Sequence, residues 1–88
     1  MNAALSGAER KYVADRVRDA LVKYQPRSYQ IAVNETAILK DDDWYHVLVT
    51  TPNHERDRDF YDALAKAERD LESLDKGKVH YLLVPVLG

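Results

Sequence analysis

The chain has 88 residues, of which 45% are hydrophobic and 32% charged, and its 13 basic and 15 acidic side chains give a net charge of −2. A chain of this length buries one modest core, so we expect a single domain over residues 1–88. The balanced charge excludes a strongly basic nucleic-acid wrapper and an acidic disordered tail. The lack of cysteine excludes disulfides, thiol catalysis and thiolate metal ligands.

The start of the chain lacks the basic and apolar regions of a secretory signal. No apolar run approaches the ~18 residues that cross a membrane. We therefore expect a cytoplasmic protein without membrane contact.

The first helix is predicted to begin at Ser6 and to end before Pro26. Ser6 and Glu9 have the spacing of a capping box. The residue before a proline avoids the helical region, so Pro26 stops the helix. The apolar residues recur every three or four positions and form one buried stripe: Val13, Val17, Ala20, Leu21 and Tyr24.

Two strands are predicted next, joined by an acidic turn. Residues 28–39 alternate as an extended segment, with a bulge or bend expected at 34–36. The turn spans 40–43 and contains three consecutive aspartates, which suit turns because they bond nearby backbone amides. Residues 44–51 are rich in aromatic and β-branched residues and form the clearest strand, so the pair predicts an antiparallel hairpin.

The second helix is predicted to begin at Thr51 or Asn53, around Pro52, and to stop at Gly77. Its apolar stripe comprises Phe60, Ala63, Leu64, Ala67, Leu71 and Leu74. A third strand follows over 78–87, where Pro85 marks an edge or the end of pairing because it has no amide hydrogen.

The predicted fold is α+β, in the order α-β-β-α-β, with both helices packed on one face of a three-stranded sheet. The third strand lies either beside the first, antiparallel, or beside the second, parallel. The layout resembles a ferredoxin-like plait that lacks its first strand. This is an analogy of topology and implies no function. Short segments, such as residues 44–47 and 82–85, resemble small uncharacterised bacterial domains without indicating a family.

This architecture leaves one sheet face without helices. The β-branched parity of the second strand suits the core, so the other parity is assigned to the free face, together with alternate residues of the third strand. The predicted partner-binding residues are Trp44, His46, Leu48, His80, Leu82 and Val84. Because the third strand is apolar on both parities, a second copy of the chain is expected to cover this face. The alternatives are that Leu5 and the N-terminal segment cover it, or that the two parities are reversed.

No catalytic or cofactor motif is present: there is no nucleophile elbow, phosphate-binding glycine loop or zinc-protease helix. His46 and His80 could share a face, but no third ligand has a characteristic spacing. The aspartates at 41–43 lack the glycine and glutamate of a calcium loop. We therefore expect no enzyme activity, no cofactor and no metal site.

The predicted function is protein interaction, with self-association through the free face or a strand edge favoured and another protein as the other possible partner. The alternative is single-stranded nucleic-acid binding, in which bases stack on Trp44, with a contribution from Tyr29, beside a basic first helix. That helix carries Arg10, Lys11, Arg16, Arg18 and Lys23, and Arg27 follows it. Interleaved acids make a mixed helix surface the preferred interpretation.

Overall fold

The computed structural model describes residues 5–51, 57–74, 76 and 78–86. Within these residues, two α-helices and four strand segments follow one another: α1 (Gly7–Tyr24), β1 (Ala32–Val33), β2 (Leu39–Asp41), β3 (Trp44–Thr50), α2 (Arg58–Leu74) and β4 (His80–Pro85). This confirms the predicted α+β class and element order. The predicted first strand is divided into β1 and β2 by a 3₁₀ turn at Glu35–Ala37, where a bend was expected.

The sheet is mixed and three strands wide, with β3 in the centre. β1 pairs antiparallel with the end of β3, and β2 pairs antiparallel with its beginning. β4 pairs with the opposite side of β3, in parallel orientation, from Trp44↔His80 to Val49↔Pro85. Of the two strand orders left open by the sequence, the parallel one beside the second predicted strand is therefore present. Pro85 is the last paired residue of β4 and lies on an edge strand, in agreement with the prediction.

The ends of α1 follow from its caps. The Ser6 side chain accepts the Glu9 amide at 3.1 Å, and Gln25, directly before Pro26, is already extended. The Glu9 carboxylate accepts the Tyr45 hydroxyl at 3.1 Å, which ties the first turn of the helix to the sheet.

The predicted start of α2 was wrong. α2 begins at Arg58, directly after the non-helical Asp57, which is later than predicted. Pro52 and Asn53 lie outside the described residues. Asp57 caps it instead, because its carboxylate accepts the Phe60 amide at 2.9 Å. The predicted stop at Gly77 also lies outside the described residues.

The core lies between the helices and one face of the sheet. The helices contribute Val13, Ala14, Val17, Ala20, Leu21, Phe60, Ala63, Leu64, Ala67 and Leu71. The strands contribute one parity only, including Val47 and Val49 from β3 and Tyr81 and Leu83 from β4. Leu74 was predicted in the buried stripe and is instead 62% exposed, since it follows the last buried turn of α2.

The two hairpin strands β2 and β3 are joined by the short turn Asp42–Asp43. Asp41 pairs with Trp44, so only these two residues lie outside the ladder. Asp42 has φ 53°, a left-handed conformation that aspartate adopts more readily than most residues. Among the described residues, no helix is long and apolar enough to cross a lipid bilayer.

Candidate interaction surface

The predicted free-face residues lie together on the side of the sheet opposite the helices. The register places Trp44 beside His80, His46 beside Leu82 and Leu48 beside Val84. The alternate residues of β3 and β4 are in the core, so the predicted parity is the one present. Leu5, considered as an alternative cover for this face, belongs to the core cluster.

β2 extends the surface by two residues that the sequence analysis did not identify. Leu39 pairs with His46, and Asp41 pairs with Trp44, so both lie on the same face. Their position depends on the register of the hairpin. A two-residue turn at Asp42–Asp43 sets this register, and the acidic run in the sequence was the signal for it. We call the eight residues together the open face: Leu39, Asp41, Trp44, His46, Leu48, His80, Leu82 and Val84.

Large apolar side chains of the open face are exposed to solvent. Leu39 is 48% exposed, Trp44 42% and Leu82 40%. These three lie on the three neighbouring strands β2, β3 and β4, so their exposed surfaces belong to one area. Leu48 and Val84 are half-buried and continue it along the sheet.

Trp44 is held at one end of the open face by a stacked histidine. The Trp44 and His80 rings lie 4.7 Å apart between centroids, with an interplanar angle of 29°. The Nδ1 atom of His80 forms a 2.8 Å hydrogen bond with Glu72 of α2. This chain of contacts orients the indole, so its exposed part is a pre-ordered surface.

The outer edge of β4 is largely closed to a further strand. The His80 amide donates to the carbonyl of Asp43, directly before β3, and the Val86 amide donates to Val49 of β3. Strand alternation therefore directs the backbone amides of residues 81 and 83, and the nitrogen of Pro85, outward. The Leu83 amide donates to Glu68 of α2 at 2.8 Å, and Pro85 has no amide hydrogen. Because the Leu83 amide is already bonded and Pro85 has no amide hydrogen, a strand of another chain finds few donors along this edge.

Glu68 occupies a partly desolvated position beside this edge. Burial raises the pKa of the Glu68 carboxyl; the Leu83 amide opposes this effect, and the negative charge of Glu72 adds to it. A shallow groove of about 350 Å³ runs here between α2 and the edge of the open face, lined by Trp44, Ala65, Glu68, Arg69, Glu72, Tyr81 and Leu82.

The residues named for nucleic-acid binding do not form one surface. α1, with its basic residues, packs on the core side of the sheet, whereas Trp44 lies on the open face. Several of those basic residues are engaged: Arg18 pairs with Asp15 at 3.1 Å, and Lys23 pairs with Asp70 at 3.6 Å. Tyr29 donates its hydroxyl to Asp57 at 2.9 Å. The neighbours of Trp44 in the acidic turn and on α2 include carboxylates, which repel phosphate.

His46 and His80 share the open face, as the sequence suggested, but lie in different rows of it. Within the described residues, no group of three or more histidine and acidic side chains is positioned to hold a metal ion. His54 lies outside the described residues.

No protein-family model, curated protein or solved structure matches this chain. The candidate site therefore rests on the geometry given above.

Proposed function

We propose that this chain is a self-associating protein-interaction domain and that two copies pair through their open faces. The observation that supports the proposal is the exposure of Leu39, Trp44 and Leu82 on the same face of three adjacent strands. Removing apolar surface from water lowers the free energy by about 25 cal/mol for each Å² buried. A face of this kind therefore favours a partner that is equally flat and apolar.

A second copy meets this requirement because a two-fold axis places the same surface on both partners. β3 has seven residues. At ~3.3 Å per residue and ~4.8 Å between strands, a face three strands wide measures roughly 23 by 14 Å. Two such faces bury on the order of 650 Å², which is below the ~1,200–2,000 Å² of stable specific interfaces and within the range of weak, transient ones. We therefore expect a reversible dimer with a dissociation constant of roughly 10–100 μM.

The closed edge of β4 favours face-to-face pairing over the addition of strands. Glu68 and Pro85 leave that edge with few donors for a neighbouring chain. Self-association through a strand edge, which the sequence also allowed, is thus less favoured at the outer edge of β4.

The test is sedimentation equilibrium at pH 7.5 on the wild type and on Leu82→Lys. Leu82 is 40% exposed, so lysine is accommodated in the monomer but places an ammonium group in the paired faces. We expect the wild type to dimerise at high concentration and Leu82→Lys to associate at least tenfold more weakly.

Leu74→Lys is the matched control, because Leu74 is also an exposed leucine but lies at the end of α2, away from the open face. It should dimerise like the wild type. Equal association of all three proteins would place the contact elsewhere, and a wild type that stays monomeric would refute the proposal. The absence of enzyme activity and the cytoplasmic location stay predictions from the sequence.

A further inference from the structure

We infer that His46 makes this self-association sensitive to acid: the dimer forms with a neutral imidazole and dissociates when His46 is protonated. The inference rests on the proposed function and concerns the regulation of the same surface. It arises from the position of His46 on β3, the central strand, within the open face. Any face-to-face pairing that covers the open face also covers this side chain.

The immediate neighbours of His46 on the face offer no compensating negative charge. Leu39 lies beside it on β2 and Leu82 beside it on β4. Trp44 and Leu48 precede and follow it on the same face of β3. When a second copy covers these four apolar side chains, an imidazolium at His46 loses hydration that they cannot replace, which disfavours pairing in the charged form.

The titratable groups further away are Asp41 on β2 and His80 on β4, both diagonal to His46. Diagonal neighbours on a sheet lie ~7–8 Å apart, and in the described part of the chain neither group forms a hydrogen bond or ion pair with His46. Lys40 belongs to the opposite face, where its ammonium group lies 5.6 Å from the centre of the Tyr45 ring. On α2, Glu72 is bonded to His80 at 2.8 Å.

His80 is therefore not the expected sensor, although it shares the open face. Its Nδ1 atom lies 2.8 Å from the Glu72 carboxylate, so an acidic group is in direct contact with this imidazole. His46 has no such partner among its neighbours on the face. The two histidines thus form a matched pair for an experiment: the same residue type on the same surface, with and without an acidic neighbour.

The size of the effect follows from proton linkage. Imidazoles titrate near pH 6.5 in solution, and a two-fold dimer contains two copies of His46. If both must be neutral for the faces to close, the dissociation constant rises about 100-fold between pH 7.5 and pH 5.5.

The experiment is sedimentation equilibrium at pH 7.5 and pH 5.5 on the wild type, His46→Gln and His80→Gln, with circular dichroism at each pH to verify folding. Glutamine is polar and neutral, so His46→Gln should dimerise equally at both pH values. The wild type and His80→Gln should lose about 100-fold in affinity at pH 5.5. His46→Leu, which is neutral and apolar, provides a second pH-insensitive variant in case glutamine weakens the pairing.

The possible failures are distinguishable. A wild type that is monomeric at both pH values refutes the proposed function and the inference together. A wild type that dimerises equally at both pH values leaves the dimer intact and refutes the inference alone. Acid dissociation that persists in His46→Gln and His46→Leu assigns the proton to another group and also overturns the inference.

Discussion

Replacing Glu68 tests how the outer edge of β4 is closed. In Glu68→Ala the Leu83 amide loses the acceptor that it contacts at 2.8 Å. In Glu68→Gln the side-chain oxygen can still accept this hydrogen bond, while the negative charge is removed. We expect Glu68→Ala to be less stable than the wild type at pH 7 and Glu68→Gln to be at least as stable.

The magnitude follows from the partial burial of Glu68. A hydrogen bond to a charged acceptor contributes ~1.5–3 kcal/mol. Glu68 is half-buried, and Leu83 lies on an edge strand where water replaces part of the lost bond. We therefore expect Glu68→Ala to lower the free energy of unfolding by about 1 kcal/mol, which lowers Tm by ~4–8 °C in a domain of this size.

The pH dependence of Glu68→Gln has a defined sign. Because burial, the largest cause, raises the pKa of Glu68, the folded protein binds the proton more tightly than the unfolded chain. The wild type therefore loses stability as the pH rises from the unfolded value of 4.5 through the raised folded pKa. Glu68→Gln lacks this loss, so its Tm advantage over the wild type should be larger at pH 7 than at pH 4.

Two assays address these expectations. Thermal unfolding followed by circular dichroism at pH 4 and pH 7 gives the Tm values of the three proteins. Hydrogen exchange of the Leu83 amide should accelerate in Glu68→Ala and stay slow in Glu68→Gln. If Leu83 exchanges equally slowly in the alanine variant, or if alanine and glutamine give the same Tm at pH 7, Glu68 does not close the edge as described.

Two further predictions concern the framework that holds the open face. Asp57→Ala should lower Tm at pH 7 because α2 loses its cap, whereas Asp57→Asn should keep the cap. Hydrogen bonds from the Phe60 amide, and secondly from the Tyr29 hydroxyl, lower the pKa of Asp57. The stabilisation by the Asp57 carboxylate should therefore be present above pH 3.8 and disappear as the pH falls below that value. Parallel Tm profiles of the wild type and Asp57→Asn below pH 3.8 would contradict this. Leu71→Ala, at a site with 0% exposure, should cost ~2–5 kcal/mol in urea unfolding, and a loss under ~1 kcal/mol would show that Leu71 is not a core residue.

The sequence predicted those parts of the fold that depend on local patterns. Ser6 and Pro26 bounded α1 because capping and proline geometry act within a few residues. The parity of β3 was readable because β-branched Val47 and Val49 suit the packed face, whereas Trp44 and His46 of the other parity do not. The six partner-binding residues were placed on one face for the same reason.

The features that the sequence did not reveal depend on contacts between distant residues. Whether β4 lies beside β3 or beside the first predicted strand is decided by packing across the sheet. The bond from Leu83 to Glu68 joins residues 15 positions apart on different elements. The start of α2 was missed because Thr51 and Asp57 are both good caps, and the chain between them reads equally well as helix.

The most direct test of the account is the mass of the wild-type protein at pH 7.5, measured by sedimentation equilibrium from about 1 to 500 μM, a range that brackets the expected dissociation constant. Pairing through the open face predicts a mass that rises with concentration from 10.1 kDa toward twice that value. A mass that stays at 10.1 kDa over the whole range would contradict self-association.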